Sequence, residues 1–218
     1  MAARRRSEPD IPIVPTPDIV PQNASLAELA RAARDCRGCP LYAQATQTVF
    51  GEGGERASIV IVGEQPGDAE DKAGRPFVGR AGVMLDRALA QAGIDRRTVY
   101  VTNAVKHFNF EFRGKARLHK KPRPGDVRAC RPWLEAELRA IEPKAVVLLG
   151  ATAVLSLLGP DFRLTERRGQ IVATPWAEIA IASWHPSMAL RAPDSESRAR
   201  VLGELTRDLR LVKDRISR

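Results

Sequence analysis

Three short runs constrain what this chain can fold into: ASIVIVG (57–63), VYVTNAV (99–105) and KAVVLLG (144–150). Each is apolar almost throughout and rich in β-branched residues, the pattern of a strand buried on both faces. Between and after them lie segments of helical period: GRAGVMLDRALAQAGI (79–94), GDVRACRPWLEAELRAI (125–141), the short ATAVLSLLG (151–159), and a closing helix from about Glu196 to Ile216. RGQIVATPW (168–176) and EIAIASWHPS (178–187) read as two more strands. Strands alternating with helices predict an α/β protein, a three-layer α/β/α sandwich around a central, mainly parallel sheet. In such sheets ligands gather beyond the carboxyl ends of the strands. Chemistry is therefore expected in GEQPGDAED (63–71), NAVKHFNF (103–110), GATA (150–153) and WHPS (184–187).

Ahead of these, SLAELARAARDC (25–36) has helical apolar spacing behind a Ser25 N-cap. Five prolines in the first 21 residues predict an extended or disordered arm over 1–24, leaving 25–218 as one domain. No apolar run is long enough to span a bilayer, and no secretory h-region is present. A cytoplasmic protein with no membrane partner is expected.

Lys and Arg outnumber Asp and Glu by 35 to 26, a formal charge of +9 that favours a polyanionic partner. Part of that charge clusters. FRGKARLHKKPRP (112–124) has six Arg or Lys in thirteen positions, no acid, and one histidine, His119. It belongs to a basic insertion loop at about 108–124 that follows the second strand.

Of the three cysteines, Cys36 and Cys39 form a C-x₂-C pair and Cys130 lies in the first turns of the 125–141 helix. An odd count argues against a disulfide framework. With His107 the cysteines compose a Cys₃His set. Zinc accepts that set readily, and an iron–sulfur cluster takes it as a variant of Cys₄, so spacing leaves the metal open.

GEQPG (63–67), GRPFVGRAG (74–82), the asparagine of VTNAVK (101–106), ACRPWL (129–134) and HPS (185–187) together resemble the iron–sulfur uracil-DNA glycosylases. The resemblance runs over residues 26 to 212, and VKHF together with a histidine-terminated insertion is similar to the UdgX branch. UdgX reads Lys-Arg-Arg-Ile-His where this chain has Lys115, Ala116, Arg117, Leu118 and His119. The resemblance implies a [4Fe–4S] cluster on Cys36, Cys39, His107 and Cys130. It implies uracil-containing DNA as partner, with single strands preferred, free uracil as product, and a monomer.

Each chemical requirement then has candidates. The base must leave the stack, and phosphates beside it need gripping. Arg113, Lys115, Arg117, Lys120, Lys121 and Arg191 are the candidates for that grip. Phe77 offers a stacking face, Asn103 a carboxamide for the uracil O4 and N3–H edge, and Gly63 and Gln65 complete the base site. Breaking the glycosidic bond leaves an oxocarbenium-like sugar and a uracil anion, for which His185 is the expected donor at O2. Gln65 and Asp68 resemble groups that position the base and a water. The family likeness makes His119 the nucleophile that bonds to C1′, with Glu64 orienting it. Two other readings remain open at this point: a multiple-turnover glycosylase, and a non-catalytic metal-cluster module for nucleic acid. A phosphate-loop nucleotide binder fits poorly, since neither G-x-G-x-x-G nor G-x-x-x-x-G-K-[ST] occurs.

Overall fold

In the computed structural model, which describes residues 12–217, the apolar runs become the strands of one sheet. The chain runs α1 (Thr16–Ile19), α2 (Leu26–Ala33), β1 (Ile59–Gly63), α3 (Asp68–Ala73), α4 (Arg80–Ala92) and β2 (Val99–Asn103). It continues through β3 (Phe110–Arg113), β4 (Ala116–His119), α5 (Pro124–Ile141), β5 (Ala145–Leu149), α6 (Ala151–Leu158) and α7 (Leu164–Arg167). It ends with β6 (Ile171–Thr174), β7 (Ala177–Ser183), α8 (Ser187–Leu190) and α9 (Ser195–Ile216).

The main sheet has the order β2-β1-β5-β7-β6. β2, β1, β5 and β7 are parallel, and β6 adds an antiparallel edge beside β7. Alternation along the buried strands separates two cores. Val60, Val62, Val146 and Leu148 face the layer that holds α5, with Trp133, Leu134 and Leu138. Ile59, Ile61, Val147 and Leu149 face α4 and α9, with Leu85, Leu89, Leu205 and Leu209. This is the expected three-layer sandwich, and strands covered on both faces have no polar side to show.

Local signals account for the ends of the helices. Ser25 and Glu28 form a capping box at α2. Asp194 accepts from Ser197 N at α9, and α4 stops at Gly93, whose φ of 71° is open to glycine at little cost.

Two expectations are corrected. Residues 1–11 of the predicted arm lie outside the described residues, but 12–24 are not a free arm. α1 forms there, Thr16 and Val20 are buried, and Pro12 O accepts from Tyr42 Oη. Prolines at 15 and 17 sit where a short helix tolerates them, and the apolar Val20 pulls the segment onto the core. The second correction concerns the insertion, which is not an irregular loop. β3 and β4 pair as an antiparallel hairpin with Phe110 opposite His119 and Phe112 opposite Arg117, turning at Gly114 (φ 62°). Alternating Phe110 and Phe112 carry the strand pattern beneath the surrounding charge.

Candidate active site

The sheet order reverses between β1 and β5, and a crevice opens at that switch point beyond the carboxyl ends of the strands. A cavity of about 640 Å³ fills it. Its walls come from Glu64 after β1, Asn103 ending β2, Gly150 after β5 and His185 after β7, with Phe77 and His119 across the mouth.

Glu64 joins the two sides of the switch point. Its Oε2 accepts from Thr152 Oγ1 at 2.6 Å, and its Oε1 lies 3.0 Å from His119 Nε2. Burial pushes this carboxyl up, but the hydrogen bonds from His119 and Thr152 outweigh burial and hold it below the usual range. It is a carboxylate at neutral pH. A carboxylate only accepts, so the neutral His119 ring carries its proton on Nε2 and keeps its lone pair on Nδ1. The imidazole itself remains 47% exposed at the cavity rim.

His185 is oriented differently. Ser187 N donates to its Nδ1 at 3.2 Å and Ser187 Oγ lies 2.8 Å from the same atom, which leaves the ring proton on Nε2. Burial lowers its pKa to about 4, with Glu64 opposing and Arg191 assisting, so the ring is a neutral N–H donor at pH 7. Phe77 stacks on it at 6.2 Å between centroids. Phe77 holds the left-handed backbone (φ 56°), a strain of about 1–2 kcal/mol for a residue with a side chain. Glycines make room for it: a Cβ on Gly82 would stand 1.7 Å from Phe77 O, and one on Gly63 would stand 2.4 Å from Asn103 Oδ1 and 2.6 Å from Phe77 Cζ. Gly63 thus lets the Asn103 carboxamide and the Phe77 ring meet over the end of β1.

Two other predicted residues face the hairpin. Gln65 lines the cavity, but its carboxamide is engaged: Nε2 donates to Asn109 O and Lys120 O, and Oε1 accepts from Asn109 N. It clasps both roots of the hairpin. Asp68 is outside the cavity wall and pairs with Lys72 and Arg117, both at 2.6 Å. Arg117 does not present its charge to solvent. It bridges Asp68 and the fully buried Asp71, reaches Thr46 Oγ1, and lies over the Phe108 and Phe110 rings. That set docks β4 onto α3.

The remaining predicted cations are exposed: Arg113 and Lys115 at the hairpin tip, Lys120 and Lys121 at its root, and Arg191 after α8. Lys121 and Arg191 reach the cavity wall. Sequence reasoning missed Arg80 and Trp184 on that wall, and Glu70, whose buried carboxylate accepts from Gly67 N and Gly79 N and ties the two glycine-rich loops together. The acidic run DAED, in a chain of net charge +9, was the available signal for Glu70 and Asp71.

Cys36, Cys39 and Cys130 are buried in one core cluster. Trp133 Nε1 and Lys106 N lie 3.2 Å from the Cys36 and Cys130 sulfurs, as donors. Burial pushes the Cys39 thiol up to about 12 and raises Cys130 as well, so without a cation beside them these sulfurs are neutral. His107 lies one residue from Lys106 with Nε2 against Thr48 Oγ1, while its buried Nδ1 and the buried Thr16 Oγ1 lack partners. A Cβ on Gly38 would meet that Thr16 hydroxyl at 2.0 Å, which puts the orphan beside CRGC. Among the described residues, no three His, Cys, Asp or Glu side chains converge on a point that would hold a single ion.

Residues 50–210 match the Uracil DNA glycosylase superfamily. A type-4 uracil-DNA glycosylase of Thermotoga maritima is 36% identical over 186 residues, covering 85% of this chain and 93% of that protein. One from Archaeoglobus fulgidus is 35% identical over 192 residues, 83% of this chain and 93% of its own. A type-5 uracil-DNA glycosylase of Thermus thermophilus is 32% identical over 180 residues, 73% and 77% of the two chains. With a switch-point cavity walled by Glu64, Asn103 and His185 and a match over most of its length, this chain belongs to the uracil-DNA glycosylase superfamily.

Proposed function

We propose that the protein is a DNA-repair glycosylase of the UdgX type, which excises uracil and captures the resulting sugar on His119. The observation that carries this reading is the Glu64–His119 pair at the cavity rim. A flipped uracil would stack on Phe77 and offer its O4 and N3–H edge to Asn103. The C1′–N1 bond then breaks with its electron pair leaving on the base. His185 Nε2–H donates to the developing anion at O2, where a neutral donor avoids the cost of a buried cation. The His119 lone pair, on Nδ1 in this ring orientation, closes on C1′. The Nε2 proton passes to Glu64, the imidazole ends neutral, and uracil departs as an anion that takes a proton from water.

Gln65, Asp68 and Arg117 act by holding the hairpin that carries His119. The exposed Arg113, Lys115, Lys120, Lys121 and Arg191 hold phosphates. The buried cysteines with His107 would hold a [4Fe–4S] cluster, supported by the N–H donors on two sulfurs and the orphaned Nδ1. When bound, that group supplies a structural tie between the CRGC segment and α5.

Incubation with uracil-containing single-stranded DNA, followed by denaturing electrophoresis, tests the reading. A protein–DNA species resistant to SDS and heat is expected from the wild type and is absent from His119→Ala. Free abasic product accumulating over many turnovers of the wild type would make it an ordinary glycosylase.

A further inference from the structure

We infer that Phe112 is a stacking face for an unpaired nucleobase next to the excised uracil, a reading that rests on uracil-containing DNA as substrate. Phe112 is 70% exposed, on a hairpin whose other aromatic, Phe110, is buried. An exposed ring at a loop tip is unremarkable by itself; here four observations give it direction.

The first is register. Phe110 faces His119 and Phe112 faces Arg117 across the hairpin, and directly opposed residues of an antiparallel pair project on one side. Phe112 therefore shares the face of His119, displaced by two residues, about 7 Å along the strand. A strand whose sugar lies against His119 carries a neighbouring base past Phe112.

The second is orientation. Phe108 and Phe110 stack at 5.0 Å between centroids, and Phe112 meets Phe110 edge-on at 5.2 Å with planes 88° apart. The ring is the outermost rung of an aromatic ladder that starts in the core, so it is steered while its face stays open. Arg117 lies over the two inner rungs and is fixed to Asp68 and Asp71, which keeps that ladder seated on α3.

The third is charge. Lys115, at the turn just beyond the ring, is exposed and among the described residues has no side-chain partner, while Arg113, equally exposed, alternates with Phe112 and projects from the other face. The nearby acid, Glu111, is opposite Leu118 and projects from the other face. An open aromatic face beside a basic turn is the pattern of a single-strand groove, where each base offers a π-face and each phosphate a charge. The fourth is pairing state. A base inside a duplex is already stacked on both sides, so the ring gains a partner only on a strand that is unpaired beside the uracil.

Binding is measured with an oligonucleotide carrying 2′-fluoro-2′-deoxyuridine, which resists excision, and 2-aminopurine at the adjacent position. The wild type quenches 2-aminopurine fluorescence on binding. Phe112→Ala loses the quench and binds about tenfold more weakly, the size expected for one base–aromatic stack, while Phe112→Trp restores both. With an abasic spacer in place of 2-aminopurine, wild type and Phe112→Ala bind equally. The inference is overturned if Phe112→Ala quenches and binds like the wild type, or if its deficit persists undiminished opposite the abasic spacer. The quench needs strand binding and no chemistry, so it is read equally well on a protein that removes no uracil. Failure of stacking and failure of excision are separate results.

Discussion

His185 and His119 line one cavity in different surroundings. His185 is held neutral by burial, its pKa near 4 against an ordinary 6.5, while His119 stands half in solvent with a carboxylate at its Nε2. An unfolded chain takes up the His185 proton from about pH 6.5 downward, and the folded chain only near pH 4. Stability therefore falls as pH drops through that window and is fully present above it. The loss is about 3 kcal/mol by pH 4, at 1.36 kcal/mol per unit. Urea midpoints of wild type and His185→Gln at pH 7 and pH 4.5 should diverge, the wild type dropping more; parallel curves would contradict it. Glu64, Asn103 and His185 follow strands and His119 lies on the basic insertion; the resemblance singled them out as candidates, and the fold brings all four to one cavity. Gln65 and Asp68 were not legible in their contacts, because these are 44 to 55 and 49 positions away, on a hairpin whose docking no local pattern encodes.

At the scale of elements, the end of β2 is fixed from beneath by a buried ion pair. Lys106 and Glu137 are fully buried and joined at 2.5 Å. Lys106 Nζ also donates to Asn103 O and Thr102 Oγ1, and Glu137 accepts from Tyr100 Oη, Thr102 Oγ1 and Gly51 N. The network holds the backbone that presents the Asn103 carboxamide to the cavity. Lys106→Met strands a carboxylate in the core, and a loss of about 3–5 kcal/mol is expected in urea unfolding. Adding Glu137→Leu should recover much of it, since the charge then goes with its partner. Lys106 follows the run read as a strand (99–105) and Glu137 lies in the segment read as a helix, yet their pairing spans 31 positions and was invisible to periodicity. The apolar alternation encoded the strands and their layers; the polar contacts between layers needed the fold.

Over the whole molecule, the net charge of +9 overstates what DNA would meet. Arg117 is neutralised inside by Asp68 and Asp71, whereas Lys115 is open to solvent. In titrations of single-stranded DNA against salt, Lys115→Ala should flatten the log–log slope by about 0.7, the value for one phosphate contact on a single strand. Arg117→Ala should leave that slope unchanged while slowing the capture proposed for His119. An equal fall in slope for both variants would return Arg117 to the phosphate contacts. The basic run was readable as charge, but which charges are free depended on an acidic helix 46 to 49 residues earlier.

The hairpin enters and leaves the body at a single closed point, where Lys120 N donates to Asn109 O at 2.9 Å and Gln65 spans the same two residues. Among the described residues, no strand of the main sheet pairs with it. The architecture therefore separates two inheritable parts: a scaffold that walls the base cavity, and a detachable cassette that brings the imidazole to its rim. Exchanging the cassette leaves the order of the sheet intact, and the penalty falls on Asp71, whose carboxylate would keep only Thr46 N. On the proposed reading, whether the protein lets go of its product is a property of these ten residues, while recognition of the base belongs to the rest.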